Sequence, residues 1–185
     1  MMSENFSCRL NLDKVHNGTR IDLVATDAER DSIMRRIGLV ALDRLAAHCI
    51  LETLGVLDHK GVGDQAGSIR ARGRIKAALA QACVATGEPL PAYIDEAFEL
   101  HFQPEPTRTP DDEVELSGDE LDVIFHDGQA IDLGEAIADT LAVSLDPYPR
   151  GPNAEVALQQ AGVLSEEQAG PFAALAALKG KLGEE

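Results

Sequence analysis

The chain has 185 residues and a formal net charge of −16, with a pI of about 4.6. A chain this acidic is repelled by bulk nucleic acid and by anionic lipid, because phosphate binding needs lysines and arginines that displace counterions. Extensive direct RNA binding is therefore disfavoured and a protein partner, a basic one included, is favoured.

The length suits one domain with tails or a domain plus a small lobe. Hydrophobic content is 44%, aromatics are 4% and tryptophan is absent, so the core is built from Leu, Ile, Val and Ala. Phe6 to Leu12 alternates, with Phe6, Cys8, Leu10 and Leu12 on one face, and predicts a strand. His16-Asn17-Gly18 is turn chemistry. Thr19 to Ala25 predicts a second strand, and the two are placed to form a hairpin. Thr26 then caps a helix, with Glu29 three residues on. Ile33, Met34 and Ile37 give its apolar side. Arg30, Arg35 and Arg36 give a solvated face, until Gly38.

Leu45 to Leu54 alternates as a strand, although Val40 to Ala47 also fits a helix. His48 and Cys49 fall on opposite faces of that strand and cannot share a metal. Four glycines between Gly55 and Gly67 predict a hairpin loop. Ile69 to Val84 is the longest alternating segment. Its apolar face holds Ile69, Ala71, Gly73, Ile75, Ala77, Leu79 and Cys83. Its other face holds Arg70, Arg72, Arg74 and Lys76, four of the 16 basic residues in a stripe about 20 Å long. Such a stripe can touch phosphate, but cross-strand neutralisation is the favoured reading. With Glu88-Pro89-Leu90-Pro91 as the connecting loop, Ala92 to Gln103 forms the partner strand. A register pairing Leu79 with Phe98 then sets Lys76 against His101.

From Glu105 to Asp122 there are eight acids and one base, Arg108, a net of −7. With its prolines, the run predicts a mobile acidic linker that either stays solvated or meets a basic partner. Leu121 to Phe125 is a short strand and Asp127-Gly128 a turn. After Arg150 the chain is Ala- and Gln-rich. Pro171 suits the first position of a helix, and Phe172, Leu175, Leu178 and Leu182 give it a narrow apolar stripe.

No phosphate-cradling glycine loop, Gly-x-Ser-x-Gly or His-Glu-x-x-His is present. Nothing singles out an acid–base pair among the carboxylates. No catalytic residue is assigned, and an enzyme is not expected. Cys8, Cys49 and Cys83 are scattered and suggest reduced thiols in a cytosol. The N-terminus lacks the apolar core of a signal peptide, and no apolar run approaches a membrane span. A cytoplasmic location without membrane attachment is expected.

Ile131 to Arg150 organises the chain. Asp132 caps a helix with Glu135 three residues later, and Leu133, Ile137, Leu141 and Leu145 form one apolar stripe. Asp146 precedes Pro147 and ends the helix. Pro147-Tyr148-Pro149 follows, stiff and extended. The Asp132-Leu-Gly-Glu135 start, with Leu145-Asp-Pro-Tyr-Pro-Arg150 after it, resembles the YceD family, bacterial proteins required for accumulation of 23S ribosomal RNA. Cys83-Val-Ala-Thr-Gly-Glu-Pro-Leu-Pro91, the strand ending in Phe102-Gln-Pro104, and Pro171-Phe-Ala-Ala-Leu-Ala-Ala-Leu-Lys179 match in order. The last looks like the alphaproteobacterial branch.

The resemblance implies a ribosome-biogenesis factor for synthesis, processing or stability of 23S ribosomal RNA. It is expected to act as a non-catalytic adaptor through a protein partner. Two alternatives stand beside it: a direct RNA-binding module using Arg70, Arg72, Arg74 and Lys76, and an unrecognised hydrolase. Candidate partner contacts are Asp132, Glu135, Asp146, Tyr148 and Arg150. Many relatives carry Cys-x-x-Cys where this chain has Cys83-Val-Ala-Thr86, and further cysteines after the Pro-x-Pro segment. Here Thr86 stands in place of the second cysteine, and none follows Pro149. A zinc site needs about four ligands, so neither metal nor cofactor is expected.

The expected fold is α+β: a curved antiparallel sheet of five or six strands, partly open and barrel-like, with two main helices and a C-terminal helical tail. The expected organisation is sheet plus helix over 1–104, acidic linker over 105–120, strand plus motif helix over 121–152 and a helical or mobile tail over 153–185.

Overall fold

The computed structural model describes residues 6–54, 67–105 and 123–163. Strands β1 (Arg9–Asn11), β2 (Thr19–Val24), β3 (Ala41–Leu54), β4 (Ser68–Ala82), β5 (Pro89–Pro104), β6 (Val123–His126) and β7 (Ala130–Asp132) combine with helices α1 (Asp27–Ile37), α2 (Leu133–Val143) and α3 (Ala154–Gln160). The fold is α+β, as the strand succession predicts. A five-stranded sheet runs in the order β2-β3-β4-β5-β6, and β1 and β7 form a separate two-stranded pair.

The chain divides into two compact units. The larger is Met1–Gln81 with Pro91–Asp146, and the smaller is Ala82–Leu90 with Pro147–Glu185. In the larger unit, alternation does what it predicts. Ile69, Ala71, Ile75, Ala77 and Leu79 of β4 are buried, as are Leu45, Ala47, Cys49 and Leu51 of β3. His48 is exposed on the other face. Ile33 of α1 and Leu133, Ile137 and Leu141 of α2 join these strands and Phe102 in one buried cluster. The β3–β4 register sets Cys49 opposite Gly73. A β-carbon at Gly73 would lie 2.1 Å from the His48 carbonyl oxygen, so only glycine fits there.

Helix α1 begins and ends as its sequence predicts. Thr26 accepts from the Glu29 amide while Glu29 accepts from the Thr26 amide, and Gly38 closes the helix at φ 72°. Its arginines are more engaged than a solvated face implies. Arg30 donates to the carbonyls of Ala25 (2.8 Å) and Leu42 (3.1 Å), satisfying backbone groups beside the helix.

Four expectations need correction. First, β1 pairs with β7 and β2 with β3, both antiparallel, so the first two strands form no hairpin. A short 3-10 turn at Leu12–Lys14 redirects the chain, and the Leu12 amide bonds Gln129. Second, β6 runs parallel to β5, with His101 opposite Val123 and Pro104 opposite His126, so the sheet is mixed. Third, the β4–β5 turn comes early. The Cys83 amide bonds the Glu88 carbonyl at 2.8 Å, and Gly87 takes φ 74°. Pro89-Leu90-Pro91 therefore lies in β5, at a strand start where proline is tolerated. Lys76 then meets Asp95 (3.2 Å) rather than His101. Fourth, the motif helix, α2, starts after its Asp132 cap as expected but ends at Val143, before Asp146, so Leu145 lies beyond it and is only partly buried. The acidic run and the Phe172–Leu182 stripe lie outside the described residues, apart from Glu105 at the start of the run.

Candidate partner-recognition surface

The start of α2 shows why its motif has these letters. The Asp132 carboxylate accepts from the Glu135 amide (3.2 Å), satisfying one of the helix's otherwise unpaired donors. The same oxygen accepts from the Cys8 amide (2.9 Å), and the second oxygen takes the Ser7 hydroxyl. Asp132 thus ties the N-terminal segment to the helix. Gly134 lets that segment approach, since a β-carbon there would lie 2.7 Å from the Cys8 nitrogen and 2.8 Å from the Phe6 oxygen. Leu133, Ile137 and Leu141 are fully buried.

Glu135 and Asp139 stand on the outward side of α2. Arg36 of α1 reaches Asp139 at 3.0 Å and Glu135 at 3.8 Å, leaving both carboxylates well exposed. Asp132, Glu135 and Asp139 together make an acidic ridge. A cleft of about 130 Å³ next to Arg36 and Ser32 lies on one side of it. A groove of about 220 Å³ floored by Phe102, Ile124 and Phe125 lies on the other. Beyond α2, Asp146 is exposed, and its carbonyl accepts from Gln81 at 2.8 Å.

The smaller unit holds Tyr148, which is 72% exposed, and Arg150, also exposed. Their backbone is fixed from the β4–β5 turn. The Val84 amide bonds the Pro149 carbonyl (2.9 Å), and Asn153 donates to Glu88 (3.2 Å). The Gly151 amide donates to the Cys83 sulfur (3.4 Å). That bond, with one from Thr86, brings the Cys83 thiol down to about 7 against the opposing effect of burial. By contrast, burial pushes Cys49 up to about 11 and raises Cys8. Among the described residues no group of three His, Cys, Asp or Glu side chains is placed to hold a metal.

The basic stripe on β4 is neutralised where it stands. Arg72 pairs with Glu52, and Arg74 with Asp95, which Lys76 also reaches. Arg70 lies 3.9 Å from Glu52 and 3.8 Å from Glu99. Asp95 is held below the usual carboxylate range, first by its hydrogen bond from Arg74 and then by Lys76.

Of the sequence-predicted contacts, Asp132 and Glu135 come together at the head of α2. Asp146 belongs to the same unit, whereas Tyr148 and Arg150 belong to the smaller one. Sequence reasoning did not count Asp139 as a contact and missed the groove beside β6. Asp139 was legible beside Glu135 on the side of the helix opposite the apolar stripe. The groove was not, because it depends on β6 joining the sheet in parallel.

Residues 71–179, more than half of the chain, match the family described as large ribosomal RNA subunit accumulation protein YceD. The chain belongs to the YceD family. The role stated by the YceD name is ribosome biogenesis, through accumulation of the large-subunit ribosomal RNA, and it is not the name of an enzyme family. Neither a curated protein nor a solved structure matches the chain. The YceD match takes in β4 from Ala71 onward, the turn at Cys83, β5, β6 and α2. Among the described residues, no helix is long and apolar enough to cross a membrane.

Proposed function

We propose that this YceD chain is a cytoplasmic, non-catalytic adaptor needed for synthesis, processing or stability of 23S ribosomal RNA, acting through a protein partner. Asp132, Glu135, Asp146, Tyr148 and Arg150 are its candidate contacts. The observation that carries this reading is the pairing of every basic side chain on the β4 stripe with a carboxylate. In a chain of net charge −16, that pairing leaves little cationic surface for phosphate. Tyr148 and Arg150 are residue types that often carry interface energy. Flanking prolines reduce the ordering entropy that binding there would cost.

The test is complementation of a deletion strain by the variant carrying Tyr148→Ala and Arg150→Ala. The variant is expected to stay folded and to fail to restore the large-subunit RNA. Full restoration by a folded variant removes the recognition role. Direct RNA contact is the competing reading. It predicts loss of complementation, with normal folding, on changing Arg74 and Lys76 to Gln, a result the adaptor reading does not expect.

A further inference from the structure

The groove beside the acidic ridge is a feature that the adaptor reading does not use. Its floor is Phe102, Ile124 and Phe125. Phe125 is half-exposed although it is a large apolar side chain, and β6, which carries it, is the outermost strand of the sheet among the described residues. His126 also lines the groove, both ring nitrogens being engaged with the backbone of Gly67 and Gly128. At about 220 Å³ the groove is smaller than the roughly 300–1,000 Å³ usual for small-molecule sites. It suits an anchoring side chain better than a metabolite.

The rim decides what kind of chain would bring that anchor. Asp132, Glu135 and Asp139 line the groove, and the Glu135 and Asp139 side chains are 64% and 68% exposed. Among the described residues, Arg36 is the one guanidinium paired with this ridge, through Glu135 and Asp139, so three carboxylates against one guanidinium leave it a net negative charge. RNA would bring phosphates against it, and a second copy of this chain would bring another 16 negative charges; both are repelled. A basic segment is attracted, and the low charge of the floor lets an apolar side chain enter.

We propose that the groove between β6 and α2 docks a basic segment of the protein partner. One apolar side chain of that segment sits on Phe125 and Ile124, and its lysines or arginines lie along Asp132, Glu135 and Asp139. The proposal rests on the adaptor reading for its biological partner, but the groove can be tested alone.

The probe is a fluorescein-labelled peptide of three Lys-Leu-Lys-Ser repeats, titrated with the full chain and followed by anisotropy. Binding is expected, and about tenfold weakening or more when the leucines become serine or the lysines glutamate. Phe125→Ser, and separately Glu135→Gln with Asp139→Asn, are each expected to weaken it about fivefold or more. The charge variant should also flatten the salt dependence. Glu155→Gln, which neutralises one carboxylate on α3, should leave binding unchanged. Phe125→Leu should retain it, which separates anchoring from misfolding should Phe125→Ser unfold.

Equal binding of the serine peptide, indifference to both groove variants, or equal binding of a polyuridine oligonucleotide would overturn the proposal. The two readings also fail differently. If the peptide does not bind while the Tyr148/Arg150 variant loses complementation, the groove is wrong and the adaptor stands. If the peptide binds through the groove while every groove and Tyr148/Arg150 variant complements, the docking chemistry stands and the adaptor reading falls.

Discussion

The two ends of the motif, Asp132-Leu-Gly-Glu135 and Pro147-Tyr-Pro-Arg150, carry similar numbers of polar and apolar letters and have opposite fates. At the first, every group but the exposed Glu135 carboxylate is spent on the fold. Asp132 takes three donors, Gly134 makes room for the Phe6–Cys8 backbone, and Leu133 is fully buried. At the second, the backbone is held and the side chains are presented. Pro149 accepts from Val84, while Tyr148 stays 72% exposed and Arg150 exposed. A charged residue in a family motif can therefore mark a fold constraint at one end and a surface at the other. Only hydrogen-bond partners and burial tell them apart.

The sharpest break should come from the buried side of α2. Leu141 is 0% exposed in the main cluster, so Leu141→Ala should cost about 2–5 kcal/mol, from lost burial and the cavity left behind. Urea unfolding measures it through a lower midpoint at unchanged slope. A cost under about 1 kcal/mol would mean that α2 is not seated in the core as described.

Next come the letters at the helix start. Asp132→Ala removes the cap and the ties to Ser7 and Cys8 together, and should cost about 1–3 kcal/mol. Gly134→Ala should cost a similar amount, about 1–3 kcal/mol, because its new methyl meets backbone rather than a side chain that can swing away. Combining the two should give less than the sum, since both act on the contact between the N-terminal segment and α2. Full additivity in a double-mutant cycle would break the link between cap and glycine.

That link also shows what the sequence could and could not disclose. The capping residues, three of the four stripe residues (Leu133, Ile137 and Leu141, but not Leu145) and the β4 alternation were legible because each is a local period or a local hydrogen bond. The pairing of β1 with β7 was not, because two three-residue strands so far apart in the chain leave no periodic trace. Gly134 could be read as part of a motif but not as a point of close approach. The lost register of Lys76 came from one mistaken turn, because a shift in the hairpin's tip displaces every pair below it. Of the candidate contacts, Asp132 was chosen for its motif, yet its carboxylate chiefly serves the fold.

The smaller unit can be probed through its thiol. Cys83 at about 7 lies below the ordinary thiol value of 9. A depressed folded value means that the thiolate's contribution to stability is complete above about pH 9 and is lost as pH falls through 7. Cys8 and Cys49 are raised, so Cys83 should be the thiol whose ultraviolet thiolate absorbance appears near neutrality, and Cys83→Ser should abolish that step. A first thiolate step near pH 9 would show that the Gly151 and Thr86 bonds do not stabilise the charged form.

The smallest effect on stability should come from Tyr148→Ala and Arg150→Ala. Both side chains are exposed, and surface substitutions are usually within about 0.5 kcal/mol of neutral. Two of the bonds that hold this stretch, Val84 to Pro149 and Gly151 to Cys83, are made by backbone groups and a sulfur that neither substitution touches. The urea midpoint should thus barely move, in contrast to Asp132→Ala. That contrast gives the complementation result its meaning. A folded double variant that fails in the cell has lost a contact made outside the molecule, whereas a large loss of stability would place Tyr148 with the fold-bearing letters of the first end.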